Sequence, residues 1–99
     1  MISHLPQVLA ATLVNEAADR TQALNLAAGS FRDLTRVAAS DPGLWVELLR
    51  TNSVEVVAAI EDYRERLDRV AAALAADDLN AVETILSRAQ EIRRSLAPP

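Results

Sequence analysis

From Val56 onward the apolar positions fall into one rhythm. Val56, Ile60, Tyr63, Leu67, Val70 and Leu74 follow each other at alternating spacings of four and three. That is the seam of a heptad pattern, in which one face of a helix stays apolar over several turns. After Asp77-Asp78 the rhythm resumes with Val82, Ile85, Ala89, Ile92 and Leu96. The pattern predicts two helices, the first capped by Ser53 and the second by the aspartate pair, ending at Ala97-Pro98-Pro99. So short a turn makes them antiparallel neighbours. On the polar side, Asp62 and Arg66, Arg64 and Asp68, and Glu65 and Arg69 are each four apart, the spacing of a solvated, charge-paired helix face.

The first half is punctuated differently. Leu5, Val8, Leu9, Leu13, Val14, Ala17 and Leu24 are interleaved with alanines, which predicts a helix from about Ser3 to Ala28 packed on more than one side. Ser3 is its candidate cap, Pro6 is tolerated in a first turn, and Gly29 is a natural stop. GSFRDLTRVAAS then reads as a sharp turn and a short helix. Asp41-Pro42 restarts the chain as cap and first helical residue. Leu44, Trp45, Leu48 and Leu49 form the inward face of a segment ending near Asn52. No repeat or linker divides the sequence, so the expectation is one all-α domain over residues 1–99.

Composition sharpens this. Half of the chain is apolar (51%) but only 3% is aromatic, so any core is built from Leu, Val, Ile and Ala. Two glycines leave too little turn chemistry for a many-stranded sheet and none for a glycine-rich phosphate loop. With no cysteine and one histidine, disulfides, a cysteine nucleophile and a transition-metal site drop out. A net charge of −4 argues against nucleic acid as a partner. The apolar start lacks a basic n-region and a cleavage site, and no apolar run approaches the ~20 residues of a membrane span. The expectation is a cytoplasmic protein with no membrane contact.

Length adds an inference about assembly. A helix from Ser53 to Ala76 spans roughly 36 Å, whereas a compact monomer of this size has a radius of gyration of only ~13 Å. Its seam runs further than the shorter segments can cover. A second copy of the chain would cover it, which predicts a homodimer.

Few residues offer chemistry. His4 lies in the first turn of the first helix with Gln7 three residues on, a polar edge that can face a cleft or simply be solvated. Arg32-Asp33-x-x-Arg36 is the richer group: on a helix the two arginines share a face, where like charges are unfavourable unless an anion lies between them. Asp33 is one such anion; a ligand carboxylate, matched by the planar guanidinium fork, is another. Gly29-Ser30 puts small residues where a ligand can approach the backbone, or only marks a helix end. Trp45, the single tryptophan, reads as core with an indole N–H in need of a partner.

SHLPQVLAATLVN at residues 3–15 and GSFRDLTRVAASDPGLW at residues 29–45 together resemble the C-terminal domain of prephenate dehydrogenases, with the arogenate and cyclohexadienyl enzymes. The order, the intervening length and the helical pair that follows extend the resemblance over nearly all of the chain. It implies an all-α dimerisation domain of the 6-phosphogluconate-dehydrogenase C-terminal-like type, interlocked with its copy and forming one wall of a substrate cleft. It implies NAD(P)-dependent oxidative decarboxylation of prephenate to 4-hydroxyphenylpyruvate, in tyrosine biosynthesis, as the activity of the complete enzyme. Arg36 matches the arginine that binds a substrate carboxylate. Arg32 and Asp33 match the charged pair before it, while His4 and Trp45 match substrate-site residues, with Gly29 and Ser30 at the turn beside them. Gln7 stands where the family often has a second histidine, and Ser30 replaces a glycine.

The nucleotide-binding half of that family has no counterpart in these residues. The expectation is therefore a piece of a longer enzyme, a truncated product, or one half of a split enzyme. Alone it binds no NAD or NADP and is inactive; a nucleotide-binding domain, in cis or in trans, completes it around prephenate or arogenate. Two other readings compete. One is a stand-alone helical protein-interaction module whose arginines are only surface. The other, a small helical chorismate mutase, lacks a complete set of suitably spaced arginines.

Overall fold

The computed structural model describes residues 4–20 and 29–96, all of them in helices or short connections, with no strand among the described residues. The all-α expectation holds. The elements are α1 (His4–Asp19), α2 (Gly29–Thr35), a 3-10 segment (Arg36–Ala39), α3 (Pro42–Thr51), α4 (Ser53–Ala75) and α5 (Leu79–Ser95). They form two compact units, Met1–Ile60 and Glu61–Pro99. Ser3, Leu24, Ala28 and the closing Ala97-Pro98-Pro99 lie outside the described residues.

In the first unit, α1 packs against α2 and the 3-10 segment. The helix predicted to reach Ala28 ends at Asp19, with Arg20 N–H bonded back to the Ala17 carbonyl (3.3 Å). Gly29 opens α2, and its reading as a helix stop turns on residues 21–28, which lie outside the described residues. Between α1 and the 3-10 segment the contact includes a buried hydrogen bond. Gln7 is buried, and its side-chain amide donates to the Val37 carbonyl at 2.9 Å, across thirty residues of chain. Thr35, also buried, donates its hydroxyl to the Phe31 carbonyl (2.8 Å) at the point where α2 gives way to 3-10 geometry. Ala10 and Val56 are the buried apolar residues.

Asp41 and Pro42 behave as expected. The Asp41 carboxylate accepts from Gly43 N–H at 3.0 Å, and Pro42 fills the first helical position. Trp45, Leu48 and Leu49 are half-buried, but Leu44 is exposed, contrary to expectation. It sits about a quarter-turn from the centre of the face made by Trp45, Leu48, Leu49 and Asn52. Only Asn52 separates α3 from α4. Its N–H bonds to the Leu49 carbonyl (3.2 Å), and its own carbonyl accepts from Val56 N–H (2.9 Å). Asn52 therefore holds the cap position assigned to Ser53, which is the first residue of α4.

In the second unit the end of α4 is locked by hydrogen bonds. Asp77 takes a left-handed φ of 58°. Its N–H bonds to the Leu74 carbonyl (3.1 Å), and Asp78 N–H reaches back to Ala73 (2.9 Å), the pair of bonds of a Schellman motif. Asp78 then caps α5, accepting from Ala81 N–H at 3.1 Å. The aspartate pair thus does two jobs, one more than the sequence pattern indicated.

The heptad seams are largely uncovered. Val56 is buried and Ile60, Tyr63 and Val70 are half-buried, but Leu67, Leu74, Ile85, Ile92 and Leu96 are exposed, Leu74 and Leu96 at 56% each. The extended close backbone approaches join α1, α2 and the 3-10 segment; α5 does not lie packed along α4 as an antiparallel neighbour. Hydrogen bonds at the turn fix the exit of α4, and the apolar faces beyond it stay open. Nor do the α4 charges pair as their spacing suggested: none of the three couples closes to an ion pair, and the bridges formed are Arg20–Glu16 (2.9 Å) and Arg50–Glu47 (2.8 Å). All four of those groups are exposed, so each bridge contributes little.

Two measurements check these local arguments. Asp77→Gly relieves the left-handed backbone and is expected to raise unfolding stability by up to about 1 kcal/mol, while Asp78→Ala removes the cap and lowers it by about 1 kcal/mol. Equal denaturation midpoints for the two variants would contradict both assignments. Gln7→Ala leaves the Val37 carbonyl unpaired and is expected to cost about 1–3 kcal/mol in the same assay; a change within a few tenths would show that the α1 contact is not held by that bond.

Candidate functional site

Of the residues singled out from sequence, His4 and Trp45 meet at the start of α1. The ring of His4, the first residue of α1, meets Trp45 of α3 edge-on, with centroids 5.6 Å apart and planes at 84°. Such T-shaped contacts are favoured because the positive ring edge meets the negative face of its neighbour. On the other side, His4 Nε2 lies 3.3 Å from the amide nitrogen of Asn52. His4 Nδ1 is buried and has no hydrogen-bond partner among the described residues. One turn along α1, Gln7 reaches the Val37 carbonyl, and the residue before Val37 is Arg36. His4 and Arg36 are therefore each a short step from one anchoring bond.

Arg36 opens the 3-10 segment and is exposed, with no carboxylate within ion-pair distance among the described residues. Arg32 and Asp33, on α2, are exposed as well and form no ion pair with each other or with Arg36. The expected shared face of Arg32 and Arg36 needs correction: α2 ends at Thr35, and the tighter 3-10 turn interrupts the four-residue register. Asp33 thus forms no ion pair with Arg36, and no carboxylate among the described residues occupies the guanidinium fork.

Gly29 begins α2, and a Cβ there would meet nothing within 4 Å among the described residues. Ser30 follows it in the first turn of α2. Two contributors escaped the sequence reading. Gln7 reads from sequence as a polar edge beside His4 and a departure from a histidine, not as a buried anchor, and Asn52 only as the end of a helix. The available signal for Asn52 was its place as the single residue between two helices. A shallow hollow on α4, lined by Glu61, Asp62, Arg64, Glu65 and Asp68, contains none of the expected site residues.

Comparison with known proteins gives this arrangement a context. The family model described as "Prephenate dehydrogenase, dimerization domain" matches residues 1–88. A prephenate dehydrogenase of Lactococcus lactis subsp. cremoris is 34% identical over 96% of the chain, which spans 28% of that protein. A cyclohexadienyl dehydrogenase of Zymomonas mobilis is 33% identical over 97% of the chain and 34% of its own length. The crystal structure of Synechocystis arogenate dehydrogenase superposes with a TM-score of 0.86 at 27% identity, covering 94% of this chain and 36% of that one. The chain thus spans about a third or less of the curated relatives it matches. Its helices, its paired motifs and these relatives agree: the chain belongs to the prephenate dehydrogenase family, as the family's dimerization domain.

Proposed function

We infer that two copies of this chain form a homodimer in which the face made by the start of α1, the 3-10 segment and α3 is one wall of a substrate cleft. The reaction is the NAD(P)-dependent oxidative decarboxylation of prephenate to 4-hydroxyphenylpyruvate, or the corresponding reaction of arogenate. The observation that carries this reading is the unpaired Arg36 beside the Gln7–Val37 anchor in a chain matching the dimerization domain over residues 1–88. Homodimerisation is supported by the exposed seams of α4 and α5.

The chain's own share of the chemistry is positioning. Arg36 holds a substrate carboxylate through charge-assisted, two-point hydrogen bonding, and an anchored backbone keeps the guanidinium where the carboxylate arrives. His4 and Trp45 add a polar ring and an aromatic wall close to the same anchor. Arg32 and Asp33 tune the field around Arg36 from α2. The residues described do not fit a dinucleotide: Gly29 and Gly43 both lie in helices, neither with positive φ, and no strand leads into a phosphate-binding turn among them. Hydride transfer is therefore assigned to a nucleotide-binding domain, in cis or in trans, and no step of it is derived from these residues.

The enzyme is taken as cytoplasmic. No helix among the described residues is long and apolar enough to cross a membrane.

In the enzyme completed by its nucleotide-binding domain, Arg36→Ala is expected to raise KM for prephenate by about 10- to 100-fold, the loss of a charged hydrogen-bond pair, with a smaller change in kcat. Steady-state kinetics with prephenate and NAD or NADP measures this. An unchanged KM would remove Arg36 from the substrate site.

A further inference from the structure

His4 is the only histidine of the chain, and its surroundings decide where its proton sits. The deciding neighbour is Asn52. The Asn52 amide nitrogen lies 3.0 Å from the Leu48 carbonyl, an oxygen that can only accept, so the NH2 group rather than the amide oxygen faces that side. With one of the two amide hydrogens on Leu48, the other is shared between the Thr51 hydroxyl oxygen at 3.2 Å and His4 Nε2 at 3.3 Å. Thr51 donates its own proton to the Leu48 carbonyl (3.1 Å), so its oxygen remains an acceptor. An amide nitrogen has no lone pair to offer. It bonds to Nε2 only if Nε2 presents one.

We propose that Asn52 is a positioning residue that fixes the tautomer of His4, leaving Nδ1–H as the ring's buried hydrogen-bond donor. A neutral imidazole with its lone pair at Nε2 carries its proton on Nδ1. This is the reverse of free histidine, in which the proton prefers Nε2. Trp45 supports the arrangement by fixing the ring plane edge-on. Nδ1 is the buried ring atom without a partner, so the donor so created has no acceptor among the described residues. A buried donor without an acceptor is costly, and an acceptor oxygen that relieves it gains accordingly.

The consequence is chemical. With Nε2 committed to Asn52, His4 offers a proton to an oxygen rather than taking one from a hydroxyl, and so acts as a donor to a carboxylate or carbonyl oxygen instead of a general base. That last step rests on the proposed substrate cleft. The tautomer itself does not, since it follows from contacts within one chain.

The test uses the 99-residue chain, 15N-labelled, in alkaline solution. Long-range 1H–15N correlation of the single histidine is expected to show Nε2 as the unprotonated, pyridine-like nitrogen and Nδ1 as the protonated one. In Asn52→Ala the ratio should swing toward the Nε2–H form. In Asn52→Asp the near-isosteric carboxylate can only accept, so the proton should move to Nε2 outright. A wild-type spectrum with the proton on Nε2 overturns the proposal before any variant is made. Variants that retain helical circular dichroism and the wild-type pattern overturn the role of Asn52. Because neither substrate nor cofactor is present, a failure here is distinct from a failure of the enzyme reading, which turnover alone decides.

Discussion

The controlling constraint is apolar surface that one copy of the chain does not cover. Among the described residues no large side chain is fully buried, and the buried apolar residues are Ala10 and Val56. A chain of this size must remove more than half of its surface from water to be stable. Its longest helices instead leave their apolar stripes open at Leu67, Leu74, Ile85, Ile92 and Leu96. Fully covering one such side chain contributes about 1.5–3 kcal/mol, whereas association costs about 4–15 kcal/mol in lost freedom. No single contact suffices. A whole seam, met by its symmetry mate, does, and the two helices that carry the stripes are those of a dimerization domain.

A domain organised around a partner places its own internal order elsewhere. Here it is concentrated where α1, α2 and the 3-10 segment meet. The Gln7–Val37 bond fixes a short, irregular segment of only four residues. Arg36 follows from that fixation. An exposed arginine on a free loop would lose side-chain and backbone entropy on meeting a carboxylate, whereas one beside an anchored carbonyl has part of that cost already met by the fold. His4 is treated likewise, held by Trp45 and Asn52 from two directions. On the proposed reading, the exposed seams serve assembly and the anchored segment serves recognition.

Much of this was readable from residue order, because it depends on local rules. The Asp41-Pro42 start, the boundary at Asn52 and the two heptad helices follow from caps and periodicity, and the structure keeps them. What periodicity could not report was which face finds a neighbour. The seams of α4 and α5 have the spacing of packed helices, yet are open in one copy, since spacing is the same whether the partner is the same chain or another. The Arg32–Arg36 face failed for a different reason: the change from α to 3-10 geometry after Thr35 carries no apolar signature. Gln7 and Asn52 were invisible as contributors because a polar residue on a helix is normally solvated. Only the fold shows that one meets a carbonyl thirty positions away and the other a histidine forty-eight positions back.

The account stands or falls on whether two copies close those open faces. Thermal unfolding followed by circular dichroism over a broad dilution series, paired with sedimentation equilibrium at each concentration, measures this directly. A linked dimer gives a Tm that climbs steadily with protein concentration and a mass twice the 10.7 kDa of one chain. A Tm independent of concentration, with the mass of a single chain throughout, would mean that one copy satisfies its own apolar surface and that the central claim is wrong.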